Sequence, residues 1–125
     1  MGVLLNLSGH PAPRGAEERF ARIISIPVPN IDIGNPEAVK SAALDLVKKV
    51  LEDADAADVL RRGEGAVILP GATALAAAVL SLLAGVSGTF PNLYWAVKGP
   101  EGFFLSPSLD LQALRLEGRA LRGEA

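Results

Sequence analysis

At 125 residues, with 12 Lys and Arg against 14 Asp and Glu, the chain is the size of one domain and carries a formal charge of −2; it is long enough to bury a core and has no overall attraction for a polyanion. It has no cysteine and a single histidine, which excludes a disulfide scaffold, thiolate metal sites, thiol chemistry and the common zinc patterns. Duplex nucleic acid is therefore not an expected partner, no metal or other cofactor is expected, and any phosphate-bearing ligand has to be held by a local site.

Val3 to Leu7 reads as a first strand, apolar on both faces and so central in its sheet. The stretch Asn6-Leu7-Ser8-Gly9-His10-Pro11-Ala12-Pro13 puts backbone NH groups, a hydroxyl and the lone imidazole at a strand's carboxyl end, where open α/β sheets bind ligands. The same Gly and Pro also serve simply to stop a strand. Polar Asn6 arrives too early for a signal peptide, so a cytoplasmic location is expected. Ala16 to Phe20 fits a single helical turn, and Ala21 to Val28 a second strand, which Pro27 places at an edge or an end. The interval between these strands is marginal for a parallel crossover. Parallel pairing is the expectation, with a hairpin as the alternative, and Pro29 to Gly34 reads as a linker.

Asn35-Pro36-Glu37 opens a helix with an Asn cap, a Pro at the first position and a carboxylate at the positive end of the dipole. It puts Val39, Ala43, Leu46, Val47 and Val50 on one face and Lys40, Asp45, Lys48, Lys49 and Glu52 elsewhere. A shorter helix from about Asp55 to Arg62 ends at Gly63, and Asp53, Asp55 and Asp58 suit its cap and dipole. Gly65 to Leu69 is a third strand. Pro70-Gly71-Ala72-Thr73 turns it into a helix running to Ala84, whose first NH groups favour an anion.

The uncharged run from Ala66 to Val86 has the length of a membrane span, but Pro70-Gly71 divides it and the helix that follows is too short to cross a bilayer, so no membrane partner is expected. That helix is apolar nearly all round, which predicts burial inside the domain or against another subunit and points to a homodimer or higher homo-oligomer. Asn92 to Lys98 is a fourth strand, and Gly99-Pro100-Glu101-Gly102 turns it into a returning strand at Phe103-Phe104-Leu105. The tail from Ser106 fits helix and strand templates equally. The expected fold is a single α/β domain over residues 1–125, small, Rossmann-like and three-layered, with a mostly parallel central sheet of four to five strands and a C-terminal hairpin.

Standard catalytic patterns fail. There is no P-loop, no dinucleotide fingerprint and no Gly-x-Ser-x-Gly elbow. Ser8, His10 and Asp32 do not make a triad, because nothing in the sequence orients the three toward one another. Two Gly/Pro loops on one sheet edge describe a binding site better than a catalytic one.

Four segments, Leu5-Asn6-Leu7-Ser8-Gly9-His10-Pro11, Ile23-Ile24-Ser25-Ile26-Pro27-Val28, Ile68 through Leu80 and Gly85-Val86-Ser87-Gly88-Thr89-Phe90-Pro91, stand in an order and spacing that resembles a CRISPR-associated family. It is the Csx-fifteen type of ancillary protein of type III systems, related in fold to CARF (CRISPR-associated Rossmann fold) domains. The resemblance spans most of residues 3–98. It departs at Ala84 and Thr89, where the family tends to carry histidines, so no role of those imidazoles carries over. The resemblance implies binding of a cyclic oligoadenylate, above all cyclic tetra-adenylate, the second messenger of type III antiviral defence, on a two-fold axis between paired subunits. It implies ring contacts from Asn6, Ser8, Gly9 and His10 and from Pro70, Gly71, Ala72 and Thr73. Arg14 is the cation nearest the first loop and is assigned to a phosphate of the ring. Two functions follow from it: sequestration of the ring without chemistry, or metal-independent ring cleavage in which a ribose 2′-OH attacks the adjacent phosphate with His10 as acid or base. No second acid or base can be named, so sequestration is preferred and no catalytic residue is assigned. A structural partner subunit that binds no nucleotide is the third possibility.

Overall fold

A computed structural model of the chain describes residues 2–123. In chain order the elements are β1 (Gly2–Asn6), α1 (Ala16–Arg19), β2 (Phe20–Ser25), α2 (Pro36–Leu51), α3 (Ala54–Arg61), β3 (Ala66–Ile68), α4 (Thr73–Ser87), β4 (Asn92–Tyr94), β5 (Ala96–Gly99), β6 (Gly102–Leu105), β7 (Leu109–Asp110) and α5 (Leu111–Leu121). A five-stranded sheet has the order β2-β1-β3-β4-β7, and β5 and β6 form a separate two-stranded hairpin. The first three pairings are parallel and the last, β4 with β7, is antiparallel. The chain is thus a small α/β, Rossmann-like domain with a mostly parallel sheet. No helix among the described residues is long and apolar enough to cross a membrane.

The parallel choice for β1 and β2 holds, although only the single turn α1 lies in the crossover. Helix starts follow their local chemistry. The Asn35 side chain accepts from the NH groups of Glu37 and Ala38 at the head of α2, and Asp53 does the same for Asp55 and Ala56 at the head of α3. The α2 face expected from periodicity is the buried one, with Ala42 added to it. The tail resolves into a two-residue edge strand and a helix capped by Asp110, whose carboxylate accepts from Ala113.

The fourth strand differs from expectation. Asn92 to Lys98 is not one strand but two, broken at Trp95 and belonging to different sheets. The cause lies eleven residues further on: buried Ser106 accepts from the Trp95 NH at 3.0 Å through Oγ and donates its own NH to the Trp95 carbonyl at 2.9 Å. Trp95 therefore has no backbone group left for the sheet ladder. β5 leaves the sheet and pairs with β6 alone.

The two faces of the sheet are covered unequally. Val3, Leu5, Leu7, Ile24 and Val67 pack under α2, α3 and α4 in the main core. Leu4, Ala66 and Ile68 face the other way and meet only Ala16 of α1, Leu105 of the hairpin and a few half-buried neighbours. In α4, Leu75, Val79 and Leu83 are buried, while Ala74, Ala77, Ser81 and Gly85 are exposed. The outer face of this apolar helix is thus built of small residues.

At the edge strand β2, Arg22 donates to Asp53 at 3.0 Å and to Asp55 at 2.8 Å, tying the strand to the head of α3. The Asp53 carboxyl is held below the ordinary carboxylate range, first by the Ala56 NH and then by Arg22. A carboxyl depressed by folding stabilises the native state above its unfolded pKa and loses that contribution as pH falls through the folded value. Asp53→Asn keeps a capping oxygen and removes the charge. Its melting temperature is expected to lie below that of the parent at pH 7, with the gap closing as the pH falls below about 4. A gap that stays constant from neutral to acid pH in thermal melts would contradict this assignment.

Candidate functional site

β2 lies on one side of β1 and β3 on the other, so the strand order reverses between β1 and β3. In open α/β sheets such a switch point opens a crevice outside the carboxyl ends of the two strands. Here the register Asn6 with Ile68 brings those ends level, and the Leu7 NH donates to the Ile68 carbonyl at 2.9 Å. The loop after β1 and the loop after β3, which with the flanking Asn6 and Thr73 hold the residues picked out from sequence, consequently leave the same sheet edge side by side. Arg14 lies at the far end of the first loop, two residues before α1.

Asn6 organises the first loop. It is 1% exposed, and its amide nitrogen donates to the His10 carbonyl at 2.8 Å and to Ser25 Oγ on β2 at 3.1 Å. Its amide oxygen accepts from the Ser8 NH at 3.3 Å and from the Ser8 hydroxyl at 2.7 Å. Those four bonds use both donors and both acceptor positions of the side chain. Ser8 Oγ in turn accepts from the His10 NH at 3.1 Å, and Gly9 between them sits at φ +80°, a left-handed conformation that glycine adopts without a Cβ penalty. Asn6 therefore shapes the loop and is itself closed to a ligand. Gly9 and the His10 imidazole are exposed on its outer side, and no described side chain hydrogen-bonds that imidazole.

A cavity of about 540 Å³ opens beside this loop, on the thinly covered face of the sheet. Ser8, His10 and Pro11 form one wall, Ile68 the floor, and Ala96 and Phe103 of the hairpin the other wall. Arg14 also borders it, and is committed to holding the hairpin: its NH donates to the Phe103 carbonyl at 3.1 Å, its carbonyl accepts from Leu105 at 2.8 Å, and its guanidinium donates to the Glu101 carbonyl at 3.0 Å. The accompanying ion pair with Glu101 is well exposed and so weak.

The second loop is placed differently. Pro70 is buried, Ala72 is half-buried, and Gly71 and Thr73 are exposed, but none of the four lines the cavity. Ala72 stands at the N-cap of α4 and has no side-chain acceptor, so the first NH groups of that helix have no side-chain cap. The structure thus gathers Ser8, His10 and Arg14 around one cavity and sets Pro70 to Thr73 beside it on the same edge. A further groove of about 450 Å³ between α2 and α4, lined by residues such as Ile33, Leu44, Ala78 and Leu82, has few polar groups to orient a small ligand.

Sequence reasoning missed two contributors. Ser25 anchors Asn6 from the neighbouring strand, and nothing in a strand-end serine announces that role. Phe103 walls the cavity, and its position as an exposed aromatic one residue after a tight turn was the available signal. Comparison with protein-family models, curated proteins and solved structures gives no match to this chain.

Asn6→Ala removes all four of these bonds, and with them the tie between Ser8, His10 and Ser25. A loss of about 1 to 3 kcal/mol in stability is expected in urea unfolding, with faster amide hydrogen exchange at Gly9 and His10. Unchanged exchange at those two amides would show that the loop holds its shape without Asn6.

Proposed function

We propose that this domain binds a cyclic oligoadenylate, cyclic tetra-adenylate above other rings, and sequesters it in the cytoplasm, so damping type III CRISPR antiviral signalling. The observation that carries the reading is that its two loops, Asn6–Pro13 and Pro70–Thr73, far apart in the chain, leave adjacent parallel strands at the sheet's switch point. These are the segments through which the chain resembles the Csx-fifteen type of ancillary protein. The exposed Gly9 and the uncapped first turn of α4 offer backbone donors suited to phosphate oxygens.

A ring of four like nucleotides has a two-fold axis, and one pair of loops faces half of it. Two copies of the domain then share one ring, as a homodimer. The outer face of α4, made of Ala74, Ala77, Ser81 and Gly85, permits close approach of a second chain and supports the same arrangement.

Sequestration is favoured over cleavage by the state of His10. General acid or base catalysis needs an oriented group, and the His10 imidazole has no partner among the described side chains. Ser8 Oγ is spent on Asn6 and on the His10 backbone. His10 serves here as one ring contact among several.

Purified protein mixed with radiolabelled cyclic tetra-adenylate is expected to retard the ring and return it intact after long incubation. Linear product would replace sequestration with ring cleavage, and no retardation at micromolar protein would end the reading altogether. His10→Ala is expected to weaken binding by roughly three- to tenfold, the loss of one contact, with the ring still intact.

A further inference from the structure

We propose that the cavity between the first loop and the β5–β6 hairpin is a pocket for a purine base, with Phe103 as its stacking surface and Lys98 as the cation beside the base's phosphate. The proposal rests on the nucleotide reading above and assigns to that site a wall that the two loops do not supply.

The hairpin register carries the argument. Ala96 pairs with Leu105 and Lys98 with Phe103, so these four side chains share one face of the hairpin, and Val97 and Phe104 share the other. Leu105 is buried against Leu4, Ala66 and Ile68, which fixes its face as the one turned to the sheet. Phe103 and Lys98 therefore stand on the sheet-facing side, one step further out than the core. Residues directly opposite in an antiparallel pair have Cβ atoms about 5 Å apart, so cation and ring are neighbours.

The strand of that wall that carries the ring is held in place. The Phe103 carbonyl accepts from Arg14, and Leu105 donates to the Arg14 carbonyl, so the strand carrying the ring is pinned to the chain segment that leaves the first loop. Phe103 is 55% exposed, unusual for a phenylalanine with an apolar cavity in front of it. Facing it are Pro11, Ala12 and Ile68, together with Ser8 and His10. An apolar slot with one aromatic wall and two polar residues at its rim suits a flat heterocycle better than a flexible chain. Lys98 makes no ion pair among the described residues, which leaves its charge available to an anion carried by that heterocycle.

The test uses NMR of the whole chain with adenosine 5′-monophosphate and, as the control without a base, ribose 5-phosphate. The expected result is that the adenine nucleotide shifts the Phe103 ring and Ala96 methyl resonances and the sugar phosphate does not. Phe103→Leu is expected to weaken the nucleotide by about tenfold, in the range of one base on one aromatic ring, while Phe103→Tyr retains it. Lys98→Met is expected to flatten the salt dependence. Equal shifts from both probes, or full affinity in Phe103→Leu, would overturn the pocket. Wild-type protein that binds the mononucleotide in this cavity but not cyclic tetra-adenylate would keep the pocket and overturn the proposed function. Tight ring binding with no mononucleotide effect at Phe103 would do the reverse.

Discussion

The buried side-chain amide of Asn6 is the interaction on which the rest of the site depends. A polar group taken out of water at the end of a central strand is tolerated only when its hydrogen bonds are replaced, and here all four are. Each replacement does positional work. One bond reaches across to Ser25 on β2, and the other three fold Ser8 to His10 back over the strand end. Aspartate would lack the two donors, and leucine would leave the His10 carbonyl and the Ser8 groups without their partner. Because β1 is held by parallel ladders on both sides, the position of Asn6 is fixed before the loop begins.

The uneven covering of the sheet extends this logic from one residue to the whole domain. Three helices supply the thick side and most of the buried apolar surface, so stability is concentrated there. The thin side has only one helical turn, the first loop and a hairpin that has left the sheet. A cavity exists on that side because no helix fills it. The departure of the hairpin at Trp95 is what brings Phe103 opposite the first loop, so Ser106, which turns the chain there, is as much a determinant of the cavity as the residues that line it.

Local signals made much of this legible in the sequence. The Asn35 and Asp53 caps and the apolar face of α2 follow from residues within a few positions of one another, and the parallel pairing that sets the two loops on one edge is the preferred of the two readings the sequence offers. What was not legible depends on partners distant in the chain. Asn6 reads as a ligand contact until Ser25 is placed beside it, and Asn92 to Lys98 reads as one strand until Ser106 is seen to consume the backbone of Trp95. Arg14 reads as a free cation, whereas its backbone and guanidinium hold the hairpin. Phe103 stood in plain view as a returning strand, and its meaning came only with the register that turns it toward the first loop.

The central claim is that two such edges close around one intact ring. Native mass spectrometry of the full chain with cyclic tetra-adenylate, followed by fragmentation of the released ligand, tests it directly, because it counts chains and ligands and tells a closed ring from the linear 2′,3′-cyclic phosphate of equal mass that attack by a ribose 2′-OH would form. Two chains carrying one closed ring is the expected species. Protein without ligand at saturating ring, one ring on each single chain, or a linear ligand would each contradict it.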